Sequence, residues 1–437
     1  MLNQRAFTVA MSLLLGAGIA GAPTPVRASG AIYVGPGGGT GGCASPAFAY
    51  RTDGTADDVQ IRNAADASSS GDTIFICAGS FDITGEINLG SKSLTIQGAG
   101  QSQTILDAHE QDTRFFFATG STITFKGLTM QNAQLYSGNP WVGAIWGEDN
   151  TNINVYGSSF LNNYALNGMG VIFSRSGNIN VVNSAFDGNY SDTDDYWGGG
   201  AINATADDGS ATVTIRNSSF TNNYSESDGG AVLSRGALNI YDSTFVNNES
   251  ASKGGAIAVY GDLHISGSRF ASNVSHDEGA AAYAECDSEL RATGNTFISN
   301  HAVGDGSDGG AFNIDCEDGA SIQINRNTFT RNTADDVGGA IDEDNGDLMV
   351  VTGNTFSQNS SSTSESAPDG GGAIWATNIK MTRNIFSRNT SLGCGGAVYI
   401  AGSDYRTSSR NEYAGNRGGI LPRLGDVCRA SDLYDVK

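Results

Sequence analysis

Proline is scarce in this chain and missing from its centre. There are 7 prolines in 437 residues and none between Pro140 and Pro368, against 60 glycines. A disordered glycine-rich chain carries more proline and fewer apolar residues. With 39% hydrophobic residues this chain can bury a core. Basic residues are also few, 24 Lys and Arg against 46 Asp and Glu, for a net charge of −22. That balance excludes nucleic acid and anionic lipid as expected partners, because both need a basic surface. It disfavours polyanionic sugars unless a metal ion bridges the two negative surfaces. No stretch of about 18 apolar residues follows the first thirty, so no transmembrane segment is expected in the mature chain. Recognisable catalytic signatures are absent too. There is no Gly-x-Ser-x-Gly elbow, no Gly-His-Gly and no nine-residue calcium repeat, and the four histidines do not cluster. "GPGGGTGG" (35–42) lacks the strand-then-helix context of a phosphate loop and reads as a flexible lead-in.

What is present is a repeat. Phe-x-x-Asn occurs nine times, beginning at Phe160, Phe186, Phe220, Phe245, Phe270, Phe297, Phe329, Phe356 and Phe386, with a looser Tyr413-x-x-Asn416. Gly-Gly-Ala followed by an apolar residue occurs seven times, with alanines Ala201, Ala231, Ala256, Ala311, Ala340, Ala373 and Ala397. Two motifs sharing one period of roughly 25–33 residues mean one supersecondary unit per repeat. Between them apolar and polar residues alternate, as Leu263, Ile265 and Phe270 do in "GDLHISGSRF". Such short period-two runs are strands, so the spacing predicts an all-β parallel β-helix with rungs about 4.8 Å apart. The Phe should stack as a column inside and the Asn as an amide ladder at a turn, and Gly-Gly should make a corner. "DDVQIRNAADASSS" (57–70) reads as a short N-terminal capping helix, since solenoid ends expose core and strand edges. The expected organisation is a signal peptide over 1–28, then a lead-in and helical cap over 29–75. The β-helix follows over 76–420, with repeats clearest from 140, and a C-terminal cap or tail over 421–437.

The leader and the cysteines point to one compartment. Residues 1–28 hold one early Arg, an apolar run and a small-residue cleavage site at Val26-Arg27-Ala28. All six Cys follow, as in a chain that folds outside the cytoplasm, secreted or at the cell surface. Cys286 lies seven residues past Gly279 and Cys316 seven past Gly309, so the two occupy one position in successive rungs. That is disulfide reach, against the alternative of two buried thiols. Elimination and proximity leave Cys43–Cys77 and Cys394–Cys428.

Repeated Phe-x-x-Asn with Gly-Gly-Ala-Ile, over about residues 140–420, resembles the repeats of chlamydial polymorphic outer membrane proteins, within the pectin-lyase-like right-handed β-helices. The resemblance implies the right-handed coil, surface exposure and a link to adhesion. Members of that family typically end in a transmembrane barrel. Here 21 residues follow Asn416, with no set of amphipathic strands, so a barrel is not expected.

The corner aims side chains. The residue after Ala is apolar and should face in, so residues two and four past Ala should face out. On three adjacent rungs this brings Glu285, Asp315, Asp342 and Asp344 onto one face, with Trp375 and Tyr399 beside them. Carboxylates that accept hydroxyl protons, flanked by rings that stack on sugar faces, point to a polysaccharide or another cell-surface ligand. Asp315 and Asp344 are the candidate calcium ligands, the one cofactor the pattern suggests. The bland reading is a solvated polar face in an acidic protein. Carboxylates two apart on a strand (about 6.6 Å) and one rung apart (about 4.8 Å) approach the two glycosidase spacings without selecting either. "DTDDYW" (192–197) has paired aspartates but no matching Gly-His-Gly. The sequence therefore points to a binding or adhesion protein. A polysaccharide lyase or glycoside hydrolase on the same scaffold, or a structural surface component, are the alternatives.

Overall fold

The computed structural model describes residues 31–36, 50–135, 143–166, 168–192, 198–206, 211–362, 369–402, 405–407, 410–419 and 426–430. The expected leader, Cys43, most of the Gly-rich stretch and residues 193–197 lie outside them.

The described chain is a parallel β-solenoid. One rung is Ile257–Tyr260, Leu263–Ser266, Arg269–Ala271 and Val274–Ser275. Each strand pairs in parallel with its counterpart one rung on, for example Phe245 with Phe270 and Ile257 with Ala282. Three sheets of 26, 13 and 11 strands result, the first holding two strands from most rungs. Helix α1, Asp58–Ala67, is the single α-helix among the described residues. It turns Ile61, Ala64 and Ala65 onto the first strands and buries them, closing the N-terminal end of the core. Strand Ala31–Pro36 pairs with Thr73–Ile76, so the segment ahead of the helix also contributes to the first sheet.

The repeat motifs do what stacking requires. The nine phenylalanines and Tyr413 form one inner column with ring centroids 4.6 to 5.2 Å apart. The asparagine of each motif donates its Nδ2 to the Oδ1 of the next rung's asparagine at 2.8 to 3.1 Å, from Asn163 through Asn416. Asn248, for instance, is fully buried, and its Nδ2 also donates to the Phe220 carbonyl. The corner needs glycine because Gly254 has φ 68° and a side chain there would run into the Ile257 carbonyl.

A second ladder runs two residues ahead of the phenylalanines. Serines occupy it early (Ser218 N–H donates to Ser243 Oγ), and asparagines take over from Asn295 to Asn411. Cys286–Cys316 is formed, with Cα atoms 4.3 Å apart, and so is Cys394–Cys428, at 5.8 Å. Cys77 is disulfide-bonded; its expected partner Cys43 is outside the described residues.

Candidate functional site

The strand after each Gly-Gly-Ala corner carries the candidate residues. Residues one past Ala face the core as expected: Ile257, Phe312, Ile341 and Ile374 are fully buried. Of the candidate residues four past Ala, Glu285 and Asp344 are exposed and Asp315 is half-buried. The position two past Ala corrects the expectation of an open face. Asp342 is 1% exposed and Tyr399 3%, and Tyr283 and Asn313 are covered as well; Trp375 is half-buried.

The cause is the segment just before the corner, which folds back over this column. Its residues stack as Gly198, Asp228, Lys253, Glu278, Asp308, Val337, Gly370 and Cys394, and from Asp228 on each carbonyl accepts from the glycine N–H of the preceding rung. Several contacts join that segment to the strand beneath. Asn203 Nδ2 donates to Gly198 O at 2.8 Å, and Tyr260 OH donates to Asp228 Oδ2 at 2.5 Å. The Lys253 ammonium lies 4.3 Å from the Tyr283 ring centroid. Cys394 is bonded to Cys428, whose Cα pairs with Tyr399. Period two therefore says which side of the sheet a residue takes, while the loop decides whether water reaches it.

The result is a half-covered acidic-aromatic site. Tyr283, Asn313, Asp342, Trp375 and Tyr399 stand in one column in register. Asn313 Nδ2 donates to Asp342 Oδ2 at 3.2 Å. Asp342 Oδ1 and Trp375 Nε1, one rung apart, are both buried without a hydrogen-bond partner among the described residues. Buried polar atoms are nearly always paired, so an orphaned acceptor beside an orphaned donor calls for an explanation. Tyr283 OH is within 3.4 Å of Glu285 Oε2 and 3.5 Å of Asp315 Oδ2. Trp375 stacks on Tyr399 with centroids 6.1 Å apart.

The carboxyls there hold protons tightly. Burial, then the charge of Asp308 and Asp344, raises Asp342 well above the usual carboxylate range. Burial also pushes Asp308 up to about 7, against a hydrogen bond from Val337 N–H, with Asp336 and Glu278 adding to the rise. Burial and then Asp315 raise Asp344. On the inner side of the same strand, burial pushes Glu343 up to about 7 although Gly346 and Thr377 N–H groups donate to it.

A group raised in the folded state stabilises most below its unfolded value, and that stability is lost as pH rises through the folded value. For Asp308 the window runs from about 4 to about 7. The chain should therefore melt at a higher temperature at pH 5 than at pH 8.5, a difference on the order of 3 kcal/mol. Asp308→Asn should flatten the profile; equal melting of the unmodified protein at both pH values would contradict the assignment.

Asp315 and Asp344, the candidate calcium ligands, sit on neighbouring rungs. Among the described residues no group of three or more His, Cys, Asp or Glu side chains is disposed to hold a metal ion. The four histidines are each beside a carboxylate (His109–Asp82, His264–Glu289, His276–Glu249 and His301–Asp335); His109 is near the N-terminal end, and His264, His276 and His301 fall within two successive rungs. Sequence reasoning missed Asp308 and Glu278 as members of the candidate site. The signal was present, since the residue before Gly-Gly recurs once per rung like the corner itself.

The coil and its motifs define the class, a parallel β-helix. Within it, residues 217–235 and 242–260 match the family model of the Chlamydia polymorphic membrane protein repeat, which bears out the resemblance read from the motifs. No curated protein matches the chain. Among solved structures it resembles PfbA, a surface adhesin of Streptococcus pneumoniae, at 12% identity and TM-score 0.47, over 88% of this chain and 93% of that one. It also resembles the catalytic unit of a GH87 α-1,3-glucanase from Streptomyces thermodiastaticus, at 15% identity and TM-score 0.44, over 84% of this chain and 66% of that one. A PL6 alginate lyase in complex with a trisaccharide is similar at 13% identity and TM-score 0.39, covering 93% and 88%. Likeness at this level concerns the coil and leaves function to be argued from the site.

Proposed function

We propose that this chain is a secreted or surface-held glycan-binding protein whose ligand lies along the face lined by Glu285, Asp315, Asp344 and Trp375. The observation that carries the reading is the pair of buried, unpartnered atoms Asp342 Oδ1 and Trp375 Nε1 beneath that face. A hydroxyl-rich ligand offers the donor and the acceptor that these atoms lack. The half-buried Trp375 ring supplies an apolar surface for a sugar face, and exposed Glu285 and Asp344 accept further hydroxyl protons. The disulfides fit an oxidising compartment.

A second reading, a glycoside hydrolase on the same face, draws on Asp308 and Asp342. A carboxyl pushed up to about 7 beside a buried one keeps a proton at neutral pH, as a general acid requires. Incubation with neutral and acidic polysaccharides, with and without calcium, separates the readings. Binding without turnover supports the proposal. New reducing ends or unsaturated products would replace it by the enzyme. Binding only with calcium would place a cation between Asp315, Asp344 and the sugar. No binding to any glycan would overturn the proposal in favour of a structural surface component.

A further inference from the structure

The Phe-bearing sheet of the last rungs has an unusual edge. Its segments read Arg326-Asn-Thr-Phe-Thr-Arg331, then Gly353 to Gln358, then Arg383-Asn-Ile-Phe-Ser-Arg388. By strand register Arg326, Gly353 and Arg383 fall in one column at one turn, and Arg331, Gln358 and Arg388 in another across the sheet. Exposed Arg410 continues the first column. Arg326, Arg331, Arg383 and Arg388 are exposed, and none forms an ion pair among the described residues. A chain of net charge −22 has carboxylates to spare, yet this sheet carries only Glu412 across those four rungs.

The backbone makes the choice of arginine stranger. All four have φ between 54° and 57°, in the left-handed region. Equivalent turns of earlier rungs carry short residues, Asn183, Asn217, Asp242, Gly267 and Gly294 in one column and Asn222, Asn247, Ser272 and Ser299 in the other. An arginine is strained there where asparagine or glycine is not. Local strain kept at an exposed charged position points to a function that needs the charge.

We propose that these arginine columns are a docking face for a linear sulfated polysaccharide. The face is a floor of exposed and half-buried hydroxyls (Thr328, Thr355 and Ser357) with arginines at the turns on both borders. Arg326 and Arg383, like Arg331 and Arg388, stand two rungs apart, about 9.6 Å, a span comparable to a disaccharide, and Arg410 follows Arg383 one rung on. Guanidinium forks bind oxyanions through paired hydrogen bonds, which a lysine ammonium does not match. Sulfates carry dense permanent charge, which a short-range contact needs to overcome the repulsion of the whole chain. Ile385 is the one exposed large apolar residue on this floor, too little for insertion into a membrane. The face lies on a different sheet from Asp342 and Trp375 and does not depend on their ligand.

The test is binding of the full chain to heparin oligosaccharides at about 50 and about 300 mM salt. It is compared with R326N/R331N/R383N/R388N, in which each arginine becomes the residue earlier rungs carry. The unmodified protein should bind heparin, more than tenfold more weakly at the higher salt. The variant should lose binding at least tenfold while melting at an equal or higher temperature. Three results would each overturn the proposal: no heparin binding, binding unchanged in the variant, or equal binding of polygalacturonate or duplex DNA.

Discussion

Asn248→Leu is expected to destabilise the coil by on the order of 4–6 kcal/mol, whereas Asn247→Gly next to it changes stability by less than about 1 kcal/mol. Two adjacent asparagines of "FVNNES" do different work. Asn248 is fully buried and makes four hydrogen bonds. Its Nδ2 donates to Asn273 Oδ1 and Phe220 O, and its Oδ1 accepts from the Asn223 backbone and side-chain N–H groups. Leucine has a similar volume and no polar atom, so four buried partners lose a bond at once, and a buried orphan costs about 1–3 kcal/mol. Asn247 has φ 55° and a 3.4 Å bond to Asn222 at the surface. Glycine takes that backbone without strain. Denaturant unfolding of both variants checks the contrast, and comparable losses would remove the ladder from its place in the account.

Asp342→Asn is expected to weaken glycan binding by roughly 10- to 100-fold while leaving the free protein as stable or more so. Asp342 is a buried acid among acids, raised by burial and by Asp308, Asp344 and Glu343. Asparagine keeps an oxygen for Asn313 Nδ2 and removes an acid whose ionisation burial opposes. The same change deletes the acceptor at Oδ1 that a ligand hydroxyl would meet. Stability and affinity moving in opposite directions is the mark of a group kept for binding. Trp375→Phe removes the Nε1–H donor and retains a ring on Tyr399, so it too should weaken binding by roughly tenfold without unfolding the rung.

Period and composition carried most of the architecture. The Phe column, the Asn ladder, the Gly corner and Cys286–Cys316 all follow from one rule, that equivalent residues stack, and the N-terminal helix follows from the need to cover the end of the stack. The rule fails where a second layer enters. Asp342 and Tyr399 were expected in the open because alternation assigns them to the outer side of the sheet. They are buried because the residues before Gly-Gly fold over that side, and alternation carries no information about a loop above the strand. Asp308 escapes the pattern for the same reason, because it lies in the segment before the corner, which strand alternation does not describe. The arginine columns were hidden differently. Arg326 and Arg383 are 57 residues apart in sequence, each three residues before the phenylalanine of its repeat, and the strand register sets them two rungs from each other.

The central claim is that the column of Asp342 and Trp375 receives a hydroxyl-rich ligand. Calorimetric titration of the unmodified chain and of D342N/W375F with the best-bound oligosaccharide tests it most directly. The account predicts saturable binding by the unmodified chain and none measurable by the doubly substituted one, with both proteins folded to the same or higher temperature. Equal affinity in the two proteins would contradict it.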